Sequence, residues 1–408
     1  MFAKKVFYVR ITSNVKGVFV LIANNRKMND LKNAILELLE KERYISDMLS
    51  GFVEGGFIVG EEKIKEFIKI ANYPQLNEMI IRLSKEEIMD NAYLRDIKIP
   101  KTEIGNIELG RKRFIPAHTL TAYGEKIRNL DTFEPINSFF ICDSPLRFPG
   151  VSEMGESISW MTVEPIEIQS FQKFIDEAKG NVCLCGCGLG YVAYMLSLKE
   201  SVESITIVEL NPNVIDIFES VILPQFKNRE KVKVVQSDAI EYLEDNDLNQ
   251  FDQINVDIWR DTLDMLPIYL QCLAIESAYP NVEFSYWLEP TLKDVLRKNI
   301  LEHFSGYDTP RRQCESFMRR IALDILDNTD INSKKDLQDL LKLDDMRDVL
   351  YHWYITHPQL FAEYQKVTDE ENRNMLNFLN AFNRRRANKK DQEKKLNYPF
   401  EMPDFLNK

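Results

Sequence analysis

The segment NVCLCGCGLGYVAY, residues 181–194, carries two sets of residues that could do chemistry. The thiols belong to Cys183, Cys185 and Cys187, and the glycines are Gly186, Gly188 and Gly190. A zinc or cluster site needs ligands that converge from suitable spacing, and no CxxC pair occurs in the sequence. Cysteines that alternate along an apolar strand are better explained as small core side chains. We therefore expect no metal site and interpret the segment through its glycines.

The glycines lie between an apolar, β-rich run, NVCLC, and a helical pattern that begins near Tyr191. Glycine lets the backbone adopt positive φ and approach a ligand closely, and the helix that follows presents free N–H groups. A lone glycine triplet is weak evidence, but the order of strand, turn and helix is the one that nucleotide binding requires.

Acidic residues follow three further apolar runs. Glu209 ends SITIVEL about 20 residues after the turn, where a carboxylate can accept hydrogen bonds from ribose hydroxyls. Asp238 in VVQSDAIEYL could accept from an adenine amino group, or could cap the helix AIEYLE. Asp257 in FDQINVDIWRD could act as a general base or orient an amine, and otherwise would be a turn residue; Asp261 follows it. Glu209 could also be a solvated strand end.

Strands and helices alternate between residues 131 and 303, with five short apolar runs each followed by a helical pattern. This alternation predicts an α/β domain with a parallel sheet covered on both faces, in which the acids at the strand ends line one crevice. Residues 1–130 predict an α+β region. It opens on the β-rich runs VFYVRI and GVFVLIA and continues with helical patterns, one of them GEEKIKEFIKIANYPQLNEMIIRLSKEEIMD. Residues 304–408 show only helical periodicity.

Composition narrows the classes of function. The net charge of −12 argues against a general affinity for nucleic acid, and we expect the basic C-terminal stretch NRRRANKKDQEKK to be a solvated helix face. No apolar run is long enough to span a bilayer. The six cysteines form no disulfide pattern, which predicts a reducing, cytoplasmic compartment. The four histidines show no metal-ligand spacing, and only His118 lies in a segment that could approach the site.

Four segments in this order resemble the successive motifs of class I S-adenosylmethionine-dependent methyltransferases: VCLCGCGLG, ITIVEL, VQSDAIEYL and FDQINVDIW. The flanking segments SISWMTVEPIEIQSF and NPNVIDIFESVILPQF are most similar to the spermidine-synthase-like branch of that superfamily. The resemblance covers roughly residues 155–300. It implies a Rossmann-like methyltransferase sheet and S-adenosyl-L-methionine as cofactor.

The resemblance also implies a set of site residues. The turn would be formed by Gly186, Cys187, Gly188 and Gly190, the ribose would be bound at Glu209 and Leu210, the adenine at Asp238 and Ala239, and Asp257 would lie near the sulfonium and the acceptor. Methyltransferases usually carry an acid in the first strand, where this chain has Leu184. Backbone carbonyls or another carboxylate, such as Glu164 or Glu167, would then hold the amino group of the cofactor.

The expected function is methyl transfer to a small-molecule or peptide acceptor, by a protein that could form a homo-oligomer. Aminopropyl transfer is an alternative, although spermidine synthases carry an aspartate within their glycine run and CGCGLG does not. The missing acid at Leu184 supports a second alternative, a non-catalytic cofactor-binding or scaffold protein. The final β-hairpin of the methyltransferase sheet is not evident after VEFSYWL, so we expect an N-terminal strand to complete that edge.

Overall fold

The computed structural model describes twelve stretches of the chain. These are residues 26–47, 58–71, 78–123, 127–136, 139–154, 159, 161–259, 262–307, 315–359, 361–366, 370 and 373. The two β-rich runs near the N-terminus, the basic C-terminal stretch and Asp261 lie outside the described residues.

The N-terminal part combines short helices with short strands, as predicted. Its helices are α1 (26–47), α2 (Glu61–Ala71), α3 (Lys85–Met89) and α4 (Ala92–Asp96). Its strands are β1 (Ile58–Val59), β2 (Ile80–Leu83), β3 (Thr102–Ile104), β4 (Ile107–Ile115), β5 (Thr119–Ala122), β6 (Ile127–Arg128), β7 (Pro135–Ile136), β8 (Phe139–Cys142), β9 (Leu146–Glu153) and β10 (Met161–Thr162). They form a mixed sheet in the order β1-β5-β8-β2, an antiparallel sheet in the order β10-β9-β4-β3 and a ribbon of β6 with β7.

Long-range pairing organises this N-terminal part. Strand β2 falls inside a segment whose periodicity predicts a helix, and it pairs in parallel with β8 instead. Strands β8 and β9 follow residue 131, yet they pair with strands that precede it. The α+β structure therefore continues past residue 130, and the predicted boundary between the first two domains remains a prediction.

A Rossmann-like α/β domain follows. Its elements are α5 (Pro165–Glu177), β11 (Gly180–Cys185), α6 (Tyr191–Ser197), β12 (Val202–Glu209), α7 (Pro212–Ile217), β13 (Val232–Gln236), α8 (Ala239–Asp245), β14 (Gln253–Val256), α9 (Thr262–Glu276), β15 (Glu283–Tyr286) and α10 (Glu289–Ser305). The five strands are parallel and lie in the order β13-β12-β11-β14-β15. This confirms the predicted fold class. The order reverses at β11, and ligands of open α/β sheets bind at such a switch point, beyond the carboxyl ends of the strands.

Both faces of the sheet are buried. Alternate residues of β11 belong to different core clusters. Cys183 and Cys185 belong to the cluster that includes α8, α9, α10 and the C-terminal helices, whereas Val182 and Leu184 belong to the one that includes α5 and α6. The C-terminal helices are α11 (Glu315–Asp327), α12 (Lys334–Leu340), α13 (Met346–Thr356) and residues 361–366. The apolar run from Val182 to Cys185 follows from this burial on both faces of the central strand, whereas the edge strand β13 is only partly buried.

An N-terminal strand that completes the sheet at β15 stays a prediction, because the runs VFYVRI and GVFVLIA lie outside the described residues. Among the described residues, β15 pairs with β14 alone, and no N-terminal strand joins it. The chain turns directly into α10 after two residues. Within the same residues, no helix has both the length and the apolar character needed to cross a bilayer.

Candidate active site

The three glycines form a turn between β11 and α6, at the switch point of the sheet. Gly186, Gly188 and Gly190 all adopt positive φ, at 102°, 48° and 67°. A Cβ on Gly186 would overlap the backbone oxygen of Asp257, and one on Gly190 would overlap the ring of Phe218. The turn therefore needs glycine for its backbone conformation and for its close packing.

The N-terminal region holds this turn in place, which the sequence does not reveal. The hydroxyl of Tyr93, in α4, donates a hydrogen bond to the carbonyl of Leu189 within the turn. Tyr93 also packs edge-on against Tyr191 and Tyr194 of α6. From β10, Met161 lies over Gly188, and its Sδ accepts a hydrogen bond from the Leu189 N–H at 3.1 Å.

Glu209, at the end of β12, joins the turn to the loop that follows its own strand. One carboxylate oxygen accepts a hydrogen bond from the Cys187 N–H at 3.0 Å, and the other accepts from the Asn211 N–H at 2.8 Å. Each carboxylate oxygen has a second lone pair, so both bonds leave Glu209 able to accept from a ligand hydroxyl. The neighbouring Leu210 is 62 % exposed.

Asp238 is the N-cap residue of α8. Its Oδ1 accepts hydrogen bonds from the N–H groups of Ile240 and Glu241 at 2.8 and 3.2 Å, and Oδ2 takes part in neither bond. Ala239, the first residue of the helix, is buried. The capping role considered from the sequence is therefore present, and an adenine-binding role remains a prediction that Oδ2 could serve.

Asp257 follows β14 and faces a cavity beside the glycine turn. The cavity measures about 470 Å³, including its part open to solvent. It is lined by Met161, Thr162, Val163, Glu167, Phe171, Leu184, Gly186, Cys187, Tyr191, Val192, Ala193, Asn255 and Asp257. The carboxyl groups of Glu167, on α5, and Asp257, after β14, therefore line the same cavity. No side chain of lysine, arginine or histidine is among the described residues that line it.

Burial changes the acidity of both carboxyl groups. It raises the pKa of Asp257 to about 7. Burial, together with the nearby charges of Asp257 and Glu164, raises the pKa of Glu167 to about 8. Both groups therefore exchange protons near neutral pH, which is the range in which a general acid or base is most effective.

Of the two carboxylates that could replace the acid missing at Leu184, only one faces the cavity. Glu164 accepts a hydrogen bond from the Arg113 Nε at 3.1 Å and another from the Thr162 hydroxyl at 3.3 Å. Glu167 lies one helical turn further along and lines the cavity together with Leu184. The two glutamates, which the sequence does not separate, therefore differ: Glu164 is bound by Arg113 of β4, and Glu167 lines the cavity.

The cysteines of the opening segment lie in the protein core. Cys183, Cys185 and Cys187 are all buried, and burial and the carboxylate of Glu209 raise the pKa of the Cys187 thiol. A neutral thiol is a poor metal ligand and a poor nucleophile. Across the described residues, no three histidine, cysteine or acidic side chains are grouped so that they could hold a metal ion. His118 lies away from this cavity, near Glu61.

The model of the spermine/spermidine synthase domain matches residues 167–268. The match spans the glycine turn, Glu209, Asp238 and Asp257, and it confirms the resemblance to the spermidine-synthase-like branch. The similarity to this family is confined to about a quarter of the chain. No curated protein sequence matches the chain.

Solved structures with partial similarity include two spermidine synthases. The one from Thermotoga maritima is 17 % identical over 38 % of this chain and 59 % of its own, with a TM-score of 0.27. One in complex with the transition-state analogue AdoDATO is 14 % identical over 44 % and 68 %, with a TM-score of 0.26. The Trypanosoma brucei PRMT1 enzyme–prozyme heterotetramer with AdoHcy is 17 % identical over 27 % of this chain and 34 % of its own, with a TM-score of 0.22. The chain thus spans 59 % of the Thermotoga maritima enzyme and 34 % of the PRMT1 chain, and such low TM-scores transfer no activity or assembly to it.

Proposed function

We propose that the chain transfers an alkyl group from the sulfonium of an adenosyl donor to an amine on a small-molecule or peptide acceptor. The observation that carries this proposal is the cavity in which the glycine turn meets two carboxyl groups, Glu167 and Asp257. S-adenosyl-L-methionine is the first candidate donor. The acids suit a ligand that brings positive charge, because a buried carboxylate is stabilised by an opposite charge within a few ångström.

The residues present fit an adenosyl group. Glu209 can still accept hydrogen bonds, and Oδ2 of Asp238 is not used by the helix cap. Gly186, Cys187, Gly188 and Gly190 would form the floor, Glu209 with Leu210 would bind the ribose, and Asp238 with Ala239 the adenine. A bound sulfonium donor would supply an alkyl group that is already activated for displacement.

The protein would then have to align the acceptor amine with the donor and remove one proton from it. An amine attacks only when its lone pair is free, so a protonated acceptor must lose a proton before or during the transfer. Asp257, with a pKa of about 7, is suited to take that proton near neutral pH. The apolar wall formed by Met161, Val163 and Phe171 would exclude water from the reacting atoms.

Aminopropyl transfer is the second candidate, and a specific observation favours it. A donor with a carboxylate needs N–H groups or a basic side chain, and no described basic residue lines the cavity. Two N–H groups of the turn, those of Cys187 and Leu189, already donate to Glu209 and Met161. A decarboxylated donor, which presents only an ammonium group, would meet the two acids without an opposing carboxylate.

Calorimetric titration separates these candidates. S-adenosylmethionine, its decarboxylated form and S-adenosylhomocysteine are titrated into the wild type, into Glu209→Ala and into Glu203→Ala, an exposed glutamate on the same strand. We expect binding by the wild type and the control, and a loss of about 100-fold in Glu209→Ala, because a charged hydrogen-bond acceptor is removed. A preference for the decarboxylated form would indicate aminopropyl transfer. No binding, with no effect of Glu209→Ala, would contradict the proposal and leave a scaffold protein.

A further inference from the structure

We propose that Glu167 binds the ammonium group of the adenosyl donor and thereby selects donors that carry one. The inference rests on the proposed function and adds a specificity-determining residue to it. The usual first-strand acid is replaced by Leu184, and Glu167 reaches the same cavity from α5. The chain thus retains a carboxyl group at this site but supplies it from a different element.

The first support is the absence of a protein partner. Within the described residues, the Glu167 carboxyl group makes no hydrogen bond and no ion pair, whereas Glu164, three residues earlier, is held by Arg113 and Thr162. Glu167 is half-buried, so its carboxyl group is partly withdrawn from water and yet has no protein group to compensate its charge. Its position on the cavity wall makes a ligand the natural source of that partner.

The second support is the charge around the cavity. The groups that face Glu167 are Asp257 from the end of β14, Glu164 from its own helix, and the neutral Cys187 and Tyr191 from the turn and α6. Arg113 of β4 is engaged by Glu164. Nothing described on these walls would neutralise an ionised Glu167, so a cationic group of the ligand would do so.

Binding would then be coupled to proton release. In the ligand-free protein Glu167 is largely protonated at pH 7, since its pKa is about 8. An ammonium group placed beside it favours the ionised form, so the carboxyl proton leaves to the buffer and a carboxylate–ammonium pair remains. The proton count therefore provides a signature that a purely structural glutamate would not give.

The experiment compares two adenosyl thioethers whose sulfur carries no charge, of which only the first has an ammonium group at pH 7. Decarboxylated S-adenosylhomocysteine carries an aminopropyl chain, and methylthioadenosine carries a methyl group in its place. Both are titrated into the wild type, Glu167→Gln and Glu177→Gln, which removes the same charge from an exposed position on the same helix. Titration in phosphate and in Tris, which differ in ionisation enthalpy, gives the number of protons released.

We expect Glu167→Gln to weaken binding of the aminopropyl thioether by about 10- to 100-fold, with methylthioadenosine bound within about twofold of the wild type. Release of about one proton with the aminopropyl ligand at pH 7 should be largely lost in Glu167→Gln and retained in Glu177→Gln. Retained binding of methylthioadenosine shows that the variant is folded. Glu167→Asp, which keeps the charge on a shorter side chain, should recover part of the affinity.

Equal weakening of both ligands by Glu167→Gln would assign the residue a structural role and overturn the inference, as would unchanged affinity and proton release. Either result leaves the proposed function intact, because methylthioadenosine still reports an adenosyl site in the wild type. Failure of the wild type to bind either thioether would instead reject the proposed function, and the role of Glu167 with it.

Discussion

The acids at the two ends of the proposed ligand site differ in their hydrogen bonding, and only those of the second end line the cavity. At the adenosyl end, defined by the glycine turn, Glu209 and Asp238, each carboxylate accepts two backbone N–H bonds. At the transfer end, defined by Glu167 and Asp257, neither carboxyl group has a hydrogen-bond partner or ion-pair partner among the described residues. The acids of the first end support the fold, whereas those of the second are left for a ligand.

This difference indicates which part of the site is already ordered before a ligand binds. N–H bonds fix the adenosyl end whether or not a ligand is bound, so this end can orient a ligand without rearranging. The two acids of the transfer end are half-buried and have raised pKa values, and acids with such pKa values are typical of functional sites. The transfer end is therefore where electrostatic energy is available for binding and proton transfer.

Substitution at Asp257 should have the largest effect, because it removes the proposed base. We expect Asp257→Asn to lower kcat by about 10² to 10³-fold while donor affinity stays within about threefold. In the wild type, kcat/KM should rise with pH through about 7, as the carboxyl group loses its proton. The variant should lose this inflection, which steady-state assays across pH 5.5 to 9 (~half-unit steps) would detect.

The same steady-state assays could contradict the role of Asp257 as the base. If Asp257→Asn retained more than about a tenth of the activity and kept the wild-type pH profile, Asp257 would serve only to position the acceptor. The transfer end would then lack a base among its described residues other than Glu167, and the two ends would differ less than we propose.

The glycine turn provides the next test, on the adenosyl end. Gly190→Ala combines a positive φ of 67° with overlap of the new Cβ and the buried ring of Phe218. Gly306→Ala combines a similar φ of 77° with open space, so it isolates the backbone cost. We expect a loss in the free energy of unfolding of about 2–4 kcal/mol for Gly190→Ala and about 1 kcal/mol for Gly306→Ala, measured by urea denaturation. Equal losses would show that the turn is not packed as described.

Much of the adenosyl end could be predicted because its signals are local. Strand, glycine turn and helix are adjacent in sequence, and parallel strands bring their carboxyl ends together by a general rule. The sequence therefore placed Glu209, Asp238 and Asp257 at one edge of the sheet before the structure was known. The cap formed by Asp238 was also among the alternatives, since an acid before AIEYLE is a typical N-cap.

The rest depends on contacts between distant residues, which periodicity does not encode. Tyr93 supports the turn from α4, and Arg113 on β4 occupies Glu164 and so leaves Glu167 as the carboxyl group on the cavity wall. In the same way, Ile80–Leu83 continues a helical pattern but forms β2, because pairing with β8 outweighs its local preference. These are tertiary effects of the N-terminal region on a site that lies mainly outside it.

The acid at Glu167 should also make stability depend on pH. Its pKa is about 8 in the folded protein and near 4.5 when unfolded, so between these values the folded state binds more protons. Stability should therefore fall as pH rises through this window, and less so in Glu167→Gln. Because Glu167 is partly exposed, we discount the expected effect. In urea denaturation, the free energy of unfolding of the variant should exceed that of the wild type by about 2 kcal/mol at pH 9 and should not exceed it at pH 5. Parallel pH dependences would mean that Glu167 is solvated.

Asp238 should give the smallest effect, and it separates the two roles of one carboxylate. Serine caps helices about as well as aspartate, so Asp238→Ser should keep the stability of α8, whereas Asp238→Ala should lose about 1 kcal/mol. If Oδ2 also binds adenine, both variants should weaken methylthioadenosine binding by about fivefold, because both remove that acceptor. Wild-type affinity in Asp238→Ser would restrict the residue to its cap. The adenosyl end would then bind through Glu209 and the turn, with its second acid committed to the fold alone.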